Sequence, residues 1–226
     1  MLKEKMENVL SRYESPLQRW PQVNFLRPNS LNLVCDASTA FRSTLPNRVS
    51  EATVANAIIH FNPQINDFAV YSSKPIIVQT INGNFSELVS IGIGVENLVN
   101  SGIKSNNHNI LNIFTDNQMC ISKLRPIFSQ IQQLRFQGVT DPIQILQSFE
   151  SVPLDPIEYT IIFHVAYSGL IPYIFHIKAH TSNLNYISKD FLKYNGMMAD
   201  SQELIYISSV HSMVDSLTIK ITHNTI

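Results

Sequence analysis

"LNIFTDNQMCISKLR", residues 111–125, is apolar through Phe114, stops at Thr115-Asp116, and then takes up the spacing of a helix. An acid at the tip of a hydrophobic strand is costly to desolvate unless a cation or a hydrogen-bond donor meets it. Two readings of Asp116 are open. It can be a helix N-cap, accepting orphan backbone N–H groups, or it can be a metal ligand. A single acid does not choose between them, whereas further acids in matching settings would.

Outward from this stretch, "LNLVCDASTAF" (31–41), "SEATVANAIIHF" (50–61) and "SKPIIVQTI" (73–81) read as strands rich in β-formers, with Asn66-Asp67 and Ser72-Ser73 in the loops between them. "NGNFSELVSIGIGVENLVNSG" (82–102) changes period. Phe85, Leu88, Ile91, Val95, Leu98 and Val99 recur at three and four, the spacing of a helix with one buried stripe. Gly92 and Gly94 each cost about 1 kcal/mol against Ala, and let the helix approach a sheet closely. "HNILNIFT" is a fourth strand, followed by a helix interrupted near Pro126. Residues 129–158 are helical or irregular, with Pro142, Pro153 and Pro156 as breakers.

"YTIIFHVAY" and "IPYIFHIKAH" flank Ser168-Gly169, either as a hairpin or as helix then strand. "NGMMADSQELIYISSV" is a final helix and "DSLTIKIT" a β-like tail. The order is that of an α/β fold with a mixed sheet. Residues 4–19 carry an amphipathic helical pattern, and "RPNS" at 27–30 is turn chemistry. The expected division is an N-terminal helical extension (1–30), a main domain (31–210) and a C-terminal tail (211–226).

The chain has 226 residues, of which 44% are apolar and only 15% charged, with a net charge of −1. Binding a polyanion by bulk charge is excluded, so a local site or a protein partner must supply affinity. Cys35 and Cys120 lie in apolar segments and read as reduced core thiols. The N-terminus is too charged for a signal peptide, and no run of about 20 apolar residues exists to span a bilayer. A soluble, cytoplasmic protein without membrane contact is expected.

Three more acids match Asp116. Asp36 in "VCDAS" lies opposite Cys35 by strand alternation, so the thiol faces a core while the acid faces a site or a nearby cation. Glu87 sits in a first helical turn, where Asn84-Phe-Ser-Glu87 also fits a capping box. Asp200 stands at a helix start, where the helix dipole alone accounts for an acid.

Together these segments resemble the type 1 ribonuclease H family, including the domains attached to reverse transcriptases, over about residues 31–207. "VCDAS" is similar to the family's first-strand acid motif, "NFSELVSIGIGVENLV" to its first-helix glutamate, and "ILNIFTDNQMCISKLR" to its strand-Thr-Asp-Ser-Gln-helix segment. "IKAHT" and "NGMMAD" are similar to the late Lys-x-His loop and the last acid. Asn117 replaces the usual Ser, Asn195 stands five residues before Asp200 rather than four, and the loop from His180 to Asp200 is long. Residues 126–158 hold Arg135 alone among basic residues, so a Lys/Arg-rich substrate handle is absent there.

The resemblance implies a ribonuclease H-like mixed five-stranded sheet flanked by helices, metal-dependent cleavage of the RNA strand of RNA–DNA hybrids, and a polymerase as the protein partner. Two Mg²⁺ or Mn²⁺ ions would be held by Asp36, Glu87 and Asp116, with Asp200 completing one shell and His180 assisting proton transfer or product release. Hard cations select clustered carboxylate oxygens, and such acids repel one another without metal. Ala37, Ser38, Asn84, Gln118 and Asn195 are the candidate substrate contacts, reading 2′-hydroxyls across a shallow groove. The rival readings are a structure-selective or transposase-like nuclease, and a non-cleaving binding or assembly module. His176 and His180 have H-x₃-H spacing but no Cys cluster or H-E-x-x-H beside them, which argues against zinc. His211 and the other histidines read as structural or solvated.

Overall fold

The computed structural model describes residues 21–40, 50–80, 83–178 and 183–223. The helix expected over 4–19 and the candidate residue His180 lie outside the described residues. In chain order the elements are β1 (Gln22–Val23), β2 (Ser30–Ala40), β3 (Ser50–Asn62), β4 (Asp67–Ser72), β5 (Ile76–Thr80), α1 (Gly83–Asn100), β6 (Ile110–Thr115), α2 (Gln118–Phe136), α3 (Pro142–Gln147), α4 (Pro156–Ser168), β7 (Ile171–His176), α5 (Leu184–Asn195), β8 (Met198–Ala199) and α6 (Ser201–His223).

The main sheet runs β4-β3-β2-β6-β7, with β5 also paired to β3. β2 is antiparallel to β3 and parallel to β6, which is parallel to β7. The fold class is thus a mixed α/β sheet flanked by helices. Its sixth strand follows from the length of β3, which has 13 residues. One half pairs with β5 and the other with β4 along the same edge. "DFAVYS", which joins two expected loops, is this extra strand. It is an edge strand with mostly exposed side chains, so it lacks the alternation that marks a half-buried one.

Each face of the sheet carries its own core. Leu31, Leu33 and Cys35 of β2 pack with α1, α2 and α4, whereas Val34 belongs with Phe114, Phe175 and the buried residues of α5 and α6. The first helix does approach the sheet closely. A Cβ added at Gly94 would stand 2.9 Å from Leu33 Cδ1 and 3.2 Å from Cys35 Sγ.

Several sequence expectations are corrected. Helix α2 continues through Pro126 to Phe136, because Ile127, Phe128 and Ile131 beyond the proline are buried. That packing offsets the roughly 3 kcal/mol a mid-helix proline costs. Residues 159–167 are helical rather than half of a hairpin. Glu158 accepts the Asp155 N–H at 2.9 Å at the start of α4, and Gly169 ends it in the left-handed region at φ +73°.

The β-like tail is the second half of α6. Leu204, Ile207, His211, Val214 and Thr218 form one buried stripe across the expected boundary at 211. Packing of that stripe outweighs the β-branched local sequence. Residues 21–30 are not an appendage either. Phe25 is fully buried and meets Phe114, Phe175 and Phe191 edge-on, with ring centroids 5.0, 4.8 and 5.7 Å away.

A polar ladder fixes the central register. Asn32 and Asn112 are direct neighbours on β2 and β6, both buried. Asn112 Nδ2 donates to Asn32 Oδ1 at 2.8 Å, and Asn32 Nδ2 donates to the Phe25 carbonyl at 3.1 Å. Left unpaired, each buried amide would cost about 1–3 kcal/mol, so any other register is disfavoured.

Candidate metal centre

The alternation of β2 continues from Asn32 through Val34 to Asp36 on one face. On β6, Asn112 and Phe114 are the partners of Asn32 and Val34. Asp36 and Asp116 each lie two residues beyond the Val34–Phe114 pair, so they come side by side at the carboxyl ends of two parallel strands. This is where open α/β sheets place their ligands.

Asn117 settles the first question about Asp116. Its side-chain oxygen accepts from Met119 N and Cys120 N at 3.0 and 3.1 Å, so Asn117 is the N-cap of α2. Asp116 is therefore not consumed by capping. Its carboxylate is exposed and makes no side-chain hydrogen bond among the described residues.

Glu87 is likewise free of the capping box its spacing allowed. Helix α1 begins at Gly83, one residue before Asn84, whose Oδ1 accepts from Asn117 Nδ2 at 3.2 Å. The Glu87 carboxylate turns into the acid cluster and is buried. The nearby backbone N–H of Ala37 favours the ionised form of both Glu87 and Asp36, while Glu87 Oε2 has no hydrogen-bond partner among the described residues.

Helix α6 closes the site with residues the sequence reading had passed over. His211, Asp215 and Thr218 are spaced four and three apart on one side of it. One ligand atom each from Asp36, Asp116 and His211 lies within 4.8 Å of the other two. Thr218 Oγ1 donates to Asp36 Oδ2 at 3.3 Å and to the Asp215 carbonyl at 2.8 Å. "HSMVDSLT" carried a helix-spaced His-x₃-Asp signal, but its β-branched surroundings hid it.

Asp200 is elsewhere. Its Oδ1 accepts from Gln202 N and Glu203 N at 2.9 and 3.1 Å, capping the start of α6. That is roughly 20 Å from Asp215 at the 1.5 Å rise per residue of a helix. Asn195 also has a structural task. It receives the N–H of His176 at 2.8 Å and donates to the carbonyls of His176 and Phe191 at 2.9 and 3.0 Å. Gln118 lies beside Asp116 on the exposed start of α2, and Ser38 is two residues past Asp36 on β2.

The electrostatics show what the cluster lacks. Asp36 is pushed up to about 7, first by burial and then by the charges of Asp116 and Asp215; the Thr218 hydroxyl and the Ala37 N–H pull it back. Glu87 is pushed well above the carboxylate range by burial, then by Asp36 and Asp116. No Lys or Arg among the described residues forms an ion pair with Asp36, Glu87 or Asp116. Burial raises the thiols of Cys35 and Cys120 as well, which keeps both as inert core groups. Crowded carboxylates, an orphaned buried carboxylate oxygen and an imidazole form a donor set that fits a divalent cation.

No family model and no curated relative matches the chain. Among solved structures, the chain is similar to prototype foamy virus protease–reverse transcriptase, with a TM-score of 0.51 and 11% identity over 86% of this chain. It spans about a fifth of that protein's length (21%). LC9-RNase H1, a type 1 RNase H with the type 2 active-site motif, superposes with a TM-score of 0.41 at 11% identity, covering 83% of this chain and 86% of that one. The NurA nuclease from Sulfolobus solfataricus gives 0.29 at 8% identity, covering 93% and 64%. At these identities the likeness speaks to the fold alone, a mixed α/β sheet flanked by helices. No helix among the described residues is long and apolar enough to cross a membrane.

Proposed function

We propose that the protein is a metal-dependent endonuclease of ribonuclease H type, cleaving the RNA strand of RNA–DNA hybrids. The observation that carries this reading is the meeting of Asp36 and Asp116, from two strands, with His211 of α6, beside a buried Glu87 whose carboxyl both acids push up, and with no ion-paired Lys or Arg on these acids among the described residues. Asp36, Glu87 and Asp116 would hold Mg²⁺ or Mn²⁺, two ions by the family resemblance, with His211 and Asp215 closing the site from α6. Bound there, such ions would supply Lewis-acid chemistry for phosphodiester hydrolysis.

The chain's own groups do the rest. The Thr218 hydroxyl donates to the Asp36 carboxylate and holds it toward the site. Asn117 holds the start of α2 so that Asp116 projects from its strand end. Gln118, Ser38 and the Asn84 side chain border the acids as candidate contacts to the ribose side of a substrate. In this reading Asp215 takes the part that the resemblance gives to Asp200, because it is the acid of α6 whose charge reaches Asp36 and Glu87.

The test is cleavage of a labelled RNA–DNA hybrid beside duplex DNA and duplex RNA, with Mg²⁺ or Mn²⁺, for the parent and for Asp116→Asn. Hybrid cutting that disappears in the variant is expected. Cutting of duplex DNA instead would transfer the site to a structure-selective nuclease. A folded protein inactive on every substrate would overturn the catalytic reading.

A further inference from the structure

The resemblance leaves a gap: residues 126–158 carry no basic handle, and the chain as a whole is not cationic. The structure offers cations somewhere else. Helix α5 occupies a stretch read from sequence as an extended loop, and it lies on the sheet edge beside β7. Its inner side is Ile187 and Phe191, both buried. On its outer side Tyr186, Lys189 and Lys193 fall at successive turns, with Tyr186, Lys189 and Lys193 all exposed.

The acid of that helix, Asp190, does not cancel this charge at the surface. It is turned inward, with Oδ2 3.5 Å from His176 Nδ1, and its side chain is only 12% exposed. Lys178, at the end of β7, joins the same face. Its Nζ donates to the Tyr186 hydroxyl at 2.9 Å and lies 5.2 Å from that ring's centroid. Lys193 Nζ sits 4.9 Å from the Tyr194 centroid. Lysines and tyrosines are therefore interleaved on one surface, Lys189 and Lys193 standing between Tyr186 and Tyr194 on the helix and Lys178 beside Tyr186.

Across from Tyr194 a cleft of about 470 Å³ opens between α5 and α2, lined by Gln118, Ser122, Arg125, Ser129, His176 and Tyr194 among others. Arg125 is exposed and forms no ion pair among the described residues; its contact is a long 3.5 Å hydrogen bond to Asn195 Oδ1. The cleft lies next to the acid site, because its lining residue Gln118 follows Asp116 by two residues at the start of α2.

We infer that α5, together with Arg125 across this cleft, is the nucleic-acid-binding surface of the protein, taking one polynucleotide strand as it leaves the acid cluster. The inference rests on the reading of Asp36, Glu87 and Asp116 as a nucleic-acid-cleaving centre. The strand's phosphates meet Arg125, Lys178, Lys189 and Lys193, and unpaired bases stack on Tyr186 and Tyr194. Cations interleaved with aromatic rings are the arrangement that tracks a single strand without reading its sequence, because every base offers a π-face. The charge complementarity is local, which accounts for a nucleic-acid-handling chain with almost no net charge.

The experiment uses the full chain carrying Asp116→Asn, so that binding is read without cleavage. A fluorescein-labelled single-stranded RNA and the same RNA annealed to DNA are titrated by anisotropy at several salt concentrations. Lys189→Glu/Lys193→Glu and Arg125→Ala are compared with Lys74→Glu, an exposed charge change beyond the opposite edge of the sheet. Far-UV circular dichroism checks folding. The expected result is at least a tenfold rise in Kd for the lysine pair. The salt slope should also shrink by about 1.4, the loss of two single-strand phosphate contacts. Lys74→Glu is expected to match the parent.

Unchanged Kd and salt slope in folded variants overturn the inference, as does a parent that binds neither oligonucleotide. Manganese binding by the unmutated protein is measured separately by calorimetry. If the strand binds through α5 while manganese does not bind, hydrolysis at the acid cluster fails and the surface stands.

Discussion

Replacing Asp36 by Asn tests whether the acid cluster is held together against its own charge. An ordinary aspartate titrates near 3.8, whereas Asp36 is pushed up to about 7 by burial and by Asp116 and Asp215. The folded state thus keeps a proton that the unfolded chain releases. Stability from this group is fully present below 3.8 and is lost as pH rises through 7. A difference of about three pH units corresponds to about 4 kcal/mol, the upper limit of the loss.

Asn has the shape of the carboxyl group, keeps an oxygen for the Thr218 hydroxyl and never ionises. In chelator, Asp36→Asn is therefore expected to equal the parent near pH 4 and to exceed it by up to about 4 kcal/mol at pH 8. Urea unfolding followed by circular dichroism measures both. Adding Mn²⁺ at a hundred times the parent's Kd narrows the gap at pH 8 by about 2.7 kcal/mol, because the variant has lost a ligand. If Asp36→Asn is less stable than the parent at pH 8 in chelator, the crowding argument is wrong.

Other substitutions follow from the same structure. Asp215→Asn should weaken Mn²⁺ binding in calorimetry, whereas Asp200→Ala should leave it unchanged and cost about 1 kcal/mol as a lost N-cap. Gly94→Ala gains helix propensity but drives a Cβ to 2.9 Å from Leu33 Cδ1. Urea midpoints should show a net loss of about 1–3 kcal/mol. Asn112→Ala leaves the buried Asn32 amide oxygen without its donor and should cost about 1–3 kcal/mol, read in the same way.

Much of the fold was legible because it is written in local patterns. The runs around Asp36 and Asp116 and the three-four spacing from Phe85 to Val99 were enough for the central strands, the first helix and the α/β order. The opposite facing of Cys35 and Asp36 follows from strand alternation alone. What failed was local pattern overridden by packing. Residues 215–222 look like a strand, yet the buried stripe of α6 carries them as helix. The helix at 184–195 was hidden in a region read as loop, and with it the cationic face of α5.

The sequence by itself determined which acids exist and which lie at strand ends, because period and turn chemistry act over a few residues. Only the tertiary structure decided which of them meet. Asp36 and Asp116 are brought together by a register between two distant strands, pinned by the Asn32–Asn112 hydrogen bond on the same face. Asp215 and His211, rather than Asp200, stand near Asp36 because α6 is one continuous helix whose later turns, not its start, pack beside it. Charge proximity is a long-range outcome of packing, and no stretch of sequence states it.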